Sequence, residues 1–106
     1  MRMDPSVPIS MNINLTEPQN ICGINVRKDT IMVINIWQLH HNAREWIEPE
    51  KYIPERFDPS SKYFLTPAGN KRSSMSYGPY LGGKRICLGK TFADLMVKFV
   101  LSTIFA

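Results

Sequence analysis

Near the C-terminal end, the stretch Pro79-Tyr80-Leu81-Gly82-Gly83-Lys84-Arg85-Ile86-Cys87-Leu88-Gly89 sets a thiol at the end of a glycine-bearing loop, where the sequence turns helical. A cysteine in that position faces unpaired backbone N–H groups and the positive end of a helix dipole. Lys84 and Arg85 add positive charge beside it. Such a setting favours the thiolate, the form of sulfur that ligates metals. Gly82, Gly83 and Gly89 remove side chains and permit positive φ, so a flat cofactor face can come close to the loop. A phosphate-binding reading of Gly89-Lys90-Thr91 fails on spacing. It needs a glycine separated from Gly89 by four residues, but that position, 84, is Lys, and Gly83 leaves five residues between.

In order and spacing, Gly83, Arg85, Cys87 and Gly89 resemble the cysteine-ligand loop of the cytochrome P-450 haem-thiolate monooxygenases, Phe-x-x-Gly-x-Arg-x-Cys-x-Gly. Tyr80 stands where the family usually has Phe and adds a hydroxyl beside the ligand sulfur. A second block, Pro54-Glu55-Arg56-Phe57, is similar to the family's Pro-x-Arg-Phe segment. Met1-Arg2-Met3-Asp4-Pro5 resembles the exit of the helix carrying Glu-x-x-Arg, with Arg2 at the arginine position and the glutamate before Met1.

The resemblance implies that Cys87 is the axial ligand of a haem b iron, with Tyr80, Gly83 and Gly89 around the cofactor. It implies that Arg85 pairs with a haem propionate, since a guanidinium fork suits a carboxylate. Arg2 and Arg56 would belong to a structural charge cluster. With its carboxylate partner outside the chain, Arg2 is expected to turn to solvent, because an unpaired buried charge is costly. Val7, Pro8 and Ile9 would lie on the substrate side of the haem.

A complete parent would insert one atom of O2 into a small lipophilic substrate, using electrons from a reductase. The competing reading is a non-catalytic truncated fragment that holds no haem and at most makes protein contacts. The resemblance gives no compartment for the chain itself. Eukaryotic microsomal members are tethered by an N-terminal helix, which puts a parent of that kind at the endoplasmic reticulum membrane, on its cytoplasmic side.

The elements that must carry this loop are readable in outline. Of 106 residues, 43% are hydrophobic and 21% charged, a globular composition rather than that of a disordered tail. The net charge of +4 is too modest to imply nucleic acid. Cys22 and Cys87, with no CxxC pair, do not make a disulfide framework. No apolar run reaches the roughly 18 residues of a membrane-spanning helix, so no membrane segment is expected in this chain.

Alternation predicts a strand at about Ile9 to Asn14. Gln19 to Val26 reads as a hairpin with Gly23 near its turn, and Cys22 as a buried thiol within an apolar strand. The β-branched run Thr30 to Ile36 suits a well-buried strand. Gln38 to Trp46 resembles the short helix that follows in the family. There one histidine of the His40-His41 pair is expected to pack and the other to be solvated, since neighbours on a helix diverge and no further ligand completes a metal set.

Asp58 to Ser74 is rich in Pro, Ser, Lys and Gly and reads as an irregular meander. Leu88 to Ile104 supports a helix whose Phe92, Leu95, Met96 and Phe99 share one face for the core, with Lys90, Asp94 and Lys98 on another. The fold class expected is α+β, the C-terminal part of the mainly α cytochrome P-450 fold. It comprises a small, mostly antiparallel sheet, the meander, the cysteine-ligand loop and a C-terminal helix. Residues 1–106 form one partial domain without a second.

Overall fold

The structure is a computed structural model that describes residues 1–10 and 13–106. The elements in chain order are β1 (Ile13–Asn14), β2 (Gln19–Ile21), β3 (Ile24–Val26), β4 (Ile31–Met32), α1 (Ile36–His40) and α2 (Lys90–Phe105). Short 3-10 turns lie between the helices, at Pro54–Phe57, Lys62–Phe64, Ser74–Ser76 and Gly83–Arg85.

β2 and β3 form the expected hairpin, pairing antiparallel with Gln19 opposite Val26 and Ile21 opposite Ile24. Its two-residue turn puts Cys22 at φ 52° and Gly23 at φ 85°, the double positive φ of a type I′ turn. Cys22 therefore stands exposed at the tip, not buried in a strand, because the tight turn takes the residue that the apolar run seemed to offer to the sheet.

β1 pairs antiparallel with β4, Ile13 opposite Met32 and Asn14 opposite Ile31. An isolated bridge joins Ile9 to Asn35, and Ser10 is tied to Ile34 by two hydrogen bonds, of 2.8 Å from its amide and 2.7 Å to its hydroxyl oxygen. The strand expected from Ile9 to Asn14 is thus present at its two ends, while Met11 and Asn12 lie outside the described residues.

The run Thr30 to Ile36 is not a buried strand. Only Ile31–Met32 pairs as a strand, and Ile31, Val33 and Ile34 are exposed. A two-stranded ladder covers neither face, so β-branched composition alone leaves these side chains in water.

α1 is one short turn and a half, capped by the Asn35 side chain accepting from the Gln38 amide at 2.8 Å. The chain then turns from His41 to Pro49 instead of continuing helically to Trp46. Asn42 stops it, its side chain accepting from the Arg44 amide at 3.0 Å while its carbonyl accepts from Glu45 and Trp46. The meander is irregular as expected, apart from a bridge between Leu65 and Lys71.

α2 is helical as expected but does not enter a core. Phe92, Leu95, Met96 and Phe99 are all exposed, as are Val97, Val100, Leu101 and Ile104 around them. Apolar residues occupy nearly every face of this helix, and such a helix is buried only when other elements surround it. Among the described residues, the buried apolar side chains are Pro5, Leu15, Ile36 and Trp46.

The interior is instead polar, with Arg2, Ser10, His40, His41, Arg56, Thr66 and Ser76 buried. The radius of gyration, 16.8 Å, exceeds the about 13 Å of a compact domain of this length, in keeping with so small a core.

Candidate functional site

Cys87 lies in the loop before α2, not inside its first turn. Gly89 is the N-cap residue and the helix starts at Lys90. Two main-chain bonds hold the cysteine. Its N–H donates to the Tyr80 carbonyl at 2.9 Å, and its own carbonyl accepts from the Lys90 N–H at 3.3 Å. The thiol is exposed, as is every residue from Leu81 to Lys90. Ile86 and Leu88 flank it, and Leu88 is wholly in solvent at 101%.

The glycines divide in role. Gly83 takes φ 60°, which requires its missing side chain. Gly82 is extended at φ −166° and Gly89 sits at φ −81°, conformations open to any residue. A Cβ added at Gly89 would lie 3.9 Å from the Cys87 Sγ, an ordinary contact. The loop also bends at Leu81, whose φ of 61° is unusual for a branched side chain.

Tyr80 reaches away from the loop. Its hydroxyl donates to Asp94 Oδ1 at 2.9 Å, and that bond is the main reason its pKa is raised above the ordinary phenol value. The Lys90 ammonium stands 3.9 Å from Asp94 Oδ2 and 5.9 Å from the Tyr80 ring centre. Arg85 and Lys84 are exposed, and among the described residues neither has a hydrogen-bond or ion-pair partner.

A second cluster surrounds Trp46, which is 1% exposed. Arg2 lies 5.2 Å from its ring centre and Arg72 lies 4.0 Å from it. Arg2 is buried, contrary to the expectation that it turns to solvent. Its guanidinium donates to the His40 carbonyl at 2.8 Å and the Lys51 carbonyl at 2.9 Å, so backbone oxygens take the place of a carboxylate.

Arg56 is completely buried and donates to the carbonyls of Ile47, Glu48 (2.7 Å) and Lys51 (3.1 Å). Arg72 donates to the carbonyls of Tyr63 (2.7 Å), Glu45 (3.1 Å) and Arg56 (3.4 Å). No carboxylate forms a salt bridge with any of the three among the described residues. Burial lowers the pKa of each, and the charge of Arg56 lowers those of Arg2 and Arg72 further. Buried nitrogens without a partner remain at Arg56 Nε, Trp46 Nε1 and His40 Nδ1.

Both histidines are buried, so neither is solvated. His40 Nε2 accepts the Gly78 N–H at 3.1 Å, tying α1 to the approach of the cysteine loop, and its ring lies 5.1 Å from that of Tyr77. Burial lowers its pKa, with the Arg2 charge adding to the effect. His41 is held by its ring, which stacks on Trp37 at 4.2 Å and bonds the Trp37 carbonyl at 2.9 Å. Val7, Pro8 and Ile9 are exposed along the β1 entrance, where the Pro8 carbonyl accepts from Trp37 at 3.0 Å.

The structure thus draws the sequence-derived residues into two groups. Tyr80, Gly83, Arg85, Cys87 and Gly89 share one loop, while Arg2 and Arg56 meet at the Lys51 carbonyl, to which both donate. Two participants were not legible in the sequence. Arg72 sits in the meander without a motif, and Asp94 reads as one residue of a polar helix face.

An irregular meander leading into a loop with an exposed thiol, small antiparallel sheets and one long helix after the thiol define a piece of the cytochrome P450 fold. The cytochrome P450 family profile matches residues 1–106, and the chain belongs to that family. It is 36% identical over 94 residues to a steroid 17-alpha-hydroxylase/17,20 lyase of Peromyscus leucopus, covering 88% of this chain and 17% of that protein. Over 104 residues it is 33% identical to an (S)-canadine synthase of Coptis japonica, covering 98% of this chain and 21% of the other.

Among solved structures, a zebra fish cytochrome P450 with progesterone superposes at a TM-score of 0.78 with 28% identity, covering 97% of this chain and 21% of that one. A second zebra fish structure, with abiraterone, gives 0.77 at 26% identity, covering 96% and 22%. The chain spans about a fifth of the length of the relatives it matches. No helix among the described residues is long and apolar enough to cross a membrane.

Proposed function

We propose that this chain carries the haem-thiolate ligand loop of a monooxygenase, with Cys87 as the sulfur ligand of a haem b iron. The observation that carries the reading is the loop itself. An exposed thiol stands on a backbone pinned by the Tyr80 carbonyl, between exposed Ile86 and Leu88, with an unpartnered guanidinium two residues away. These residues fit the group: the apolar side chains suit a flat macrocycle, the thiol its iron, and Arg85 a propionate.

Bound there, the haem would supply O2 activation, the thiolate donating electron density that favours O–O cleavage. The chain's own contribution is positional. Gly83 and Leu81 bend the loop, Cys87 presents sulfur, and Arg85 fixes the edge of the ring. Arg2 and Arg72 pack on Trp46, Arg72 tying the meander to it through the Tyr63 and Glu45 carbonyls, Arg56 holds the segment from Ile47 to Lys51, and His40 links α1 to Gly78 before the loop.

In the complete protein, exposed Val7, Pro8 and Ile9 line the substrate side. The substrate class is a small lipophilic molecule, a reading favoured by the steroid hydroxylase relatives and by the progesterone named in the zebra fish structure. Electrons come from a reductase. The parent sits at the endoplasmic reticulum membrane on its cytoplasmic side, and residues 1–106 are a partial domain within it.

Haem titration of the chain, read as the reduced carbon monoxide spectrum with Cys87→Ala as control, tests the assignment. A thiolate-type band lost in the control supports it. Absence of the band in the unaltered chain leaves a haem-free piece that makes protein contacts at most.

A further inference from the structure

Tyr80 and Cys87 belong to a closed circuit. The Tyr80 carbonyl accepts the Cys87 N–H at 2.9 Å, and the Cys87 carbonyl accepts the Lys90 N–H at 3.3 Å at the start of α2. One turn along that helix, Asp94 Oδ1 accepts the Tyr80 hydroxyl at 2.9 Å. Lys90 stands between, its ammonium 3.9 Å from Asp94 Oδ2 and 5.9 Å from the Tyr80 ring centre. The residue carrying the thiol is therefore held from both ends of one tyrosine, through its backbone directly and through its phenol by way of α2. A phenylalanine at 80 would keep the first hold and lose the second.

We propose that the Tyr80 hydroxyl and the Asp94 carboxylate form a clamp that positions Cys87 by locking its loop to the first turns of α2. Tyr80 and Asp94 are positioning residues, acting on the sulfur only through the backbone of Cys87. As applied to metal ligation, the clamp rests on the haem-thiolate reading; as a mechanical coupling it does not. It also redirects the Tyr80 hydroxyl, whose proton is engaged by Asp94 and not offered to the sulfur. The loop has need of such a hold, because no residue from Leu81 to Lys90 is buried and Leu81 bends it through a positive φ.

Amide hydrogen exchange at Cys87 in the unaltered chain, in Tyr80→Phe, in Asp94→Leu, in Asp94→Asn and in the double variant Tyr80→Phe/Asp94→Leu tests the coupling. Loss of one charge-assisted hydrogen bond should speed exchange at Cys87 about fivefold in Tyr80→Phe and in Asp94→Leu. Asp94→Asn keeps an acceptor oxygen and should restore most of the protection. The double variant should exchange no faster than either single one, since each opens the same circuit.

In haem-loaded protein, Tyr80→Phe should hasten loss of the thiolate-type carbon monoxide band in mild urea, whereas a merely structural change would lower the unfolding midpoint without altering ligation in the folded state. Unchanged exchange at Cys87 in Tyr80→Phe, or effects that multiply in the double variant, would overturn the clamp. If Asp94→Leu does not fold, Tyr80→Phe decides alone, as it only removes an oxygen. A thiolate band missing from the unaltered chain would count against the haem assignment, and the exchange result would still decide the clamp.

Discussion

Replacing Arg72 by alanine measures how two like charges share one tryptophan. Arg72 joins three separate segments through the carbonyls of Tyr63, Glu45 and Arg56, and its guanidinium covers Trp46 at 4.0 Å. The bonds to Tyr63 and Glu45, at 2.7 and 3.1 Å, are good; that to Arg56, at 3.4 Å, is at the limit and counts for little.

Because the side chain is only half-buried, each good bond is taken at about 1 kcal/mol, below the range for buried charged donors. Stacking on Trp46 adds about 1 kcal/mol. Against this total of about 3 kcal/mol stands the relief of repulsion, since Arg72 and Arg2 act on one another as like charges. Screening at a partly wet site holds that relief to a fraction of the loss.

Arg72→Ala should therefore destabilise by about 2–3 kcal/mol, and Arg72→Lys by about 1–2 kcal/mol, because lysine keeps the charge but not the fork. Urea unfolding followed by Trp46 fluorescence in a Trp37→Phe background would read both, with the slope unchanged. An unaltered or higher midpoint in Arg72→Ala would refute the argument, showing that repulsion and not carbonyl binding governs the cluster.

His40 predicts a pH response. Its folded pKa lies below the ordinary value of about 6.5, so the unfolded chain binds the proton first and stability should fall as pH drops below about 6.5. Unfolding midpoints that stay level between about pH 7 and pH 5, or a fall equally steep in His40→Gln, would contradict it. Arg56→Lys should cost about 2 kcal/mol, because the single nitrogen of an ammonium does not reproduce the two separate guanidinium nitrogens that reach the three carbonyls around that buried site; a midpoint within error of the unaltered chain would count against this. Cys22→Asn should stabilise by about 0.5–1 kcal/mol, as asparagine accepts the positive φ that cysteine now bears, and thermal unfolding with no gain in midpoint would rule it out.

Local chemistry was the part legible in the chain. The spacing of Gly83, Arg85, Cys87 and Gly89 was sufficient to point to the family, because glycine, charge and thiol fall within a few neighbouring residues. The hairpin around Gly23, the irregular meander and the helix after Cys87 were equally readable from turn chemistry and period.

Tertiary structure decided what lies next to what. That Arg2 is buried, that Arg72 rather than a carboxylate joins it at Trp46, and that Asp94 takes the Tyr80 hydroxyl depend on contacts across 14 or more residues, which no local pattern encodes. Burial was the other quantity withheld. The apolar residues of α2 and of the run before α1 announce a need for cover, but whether cover exists depends on which surfaces pack against them. In this chain, backbone carbonyls around three arginines form the interior instead, because a guanidinium can join several turns of irregular backbone where an aliphatic side chain would leave their oxygens unpaired.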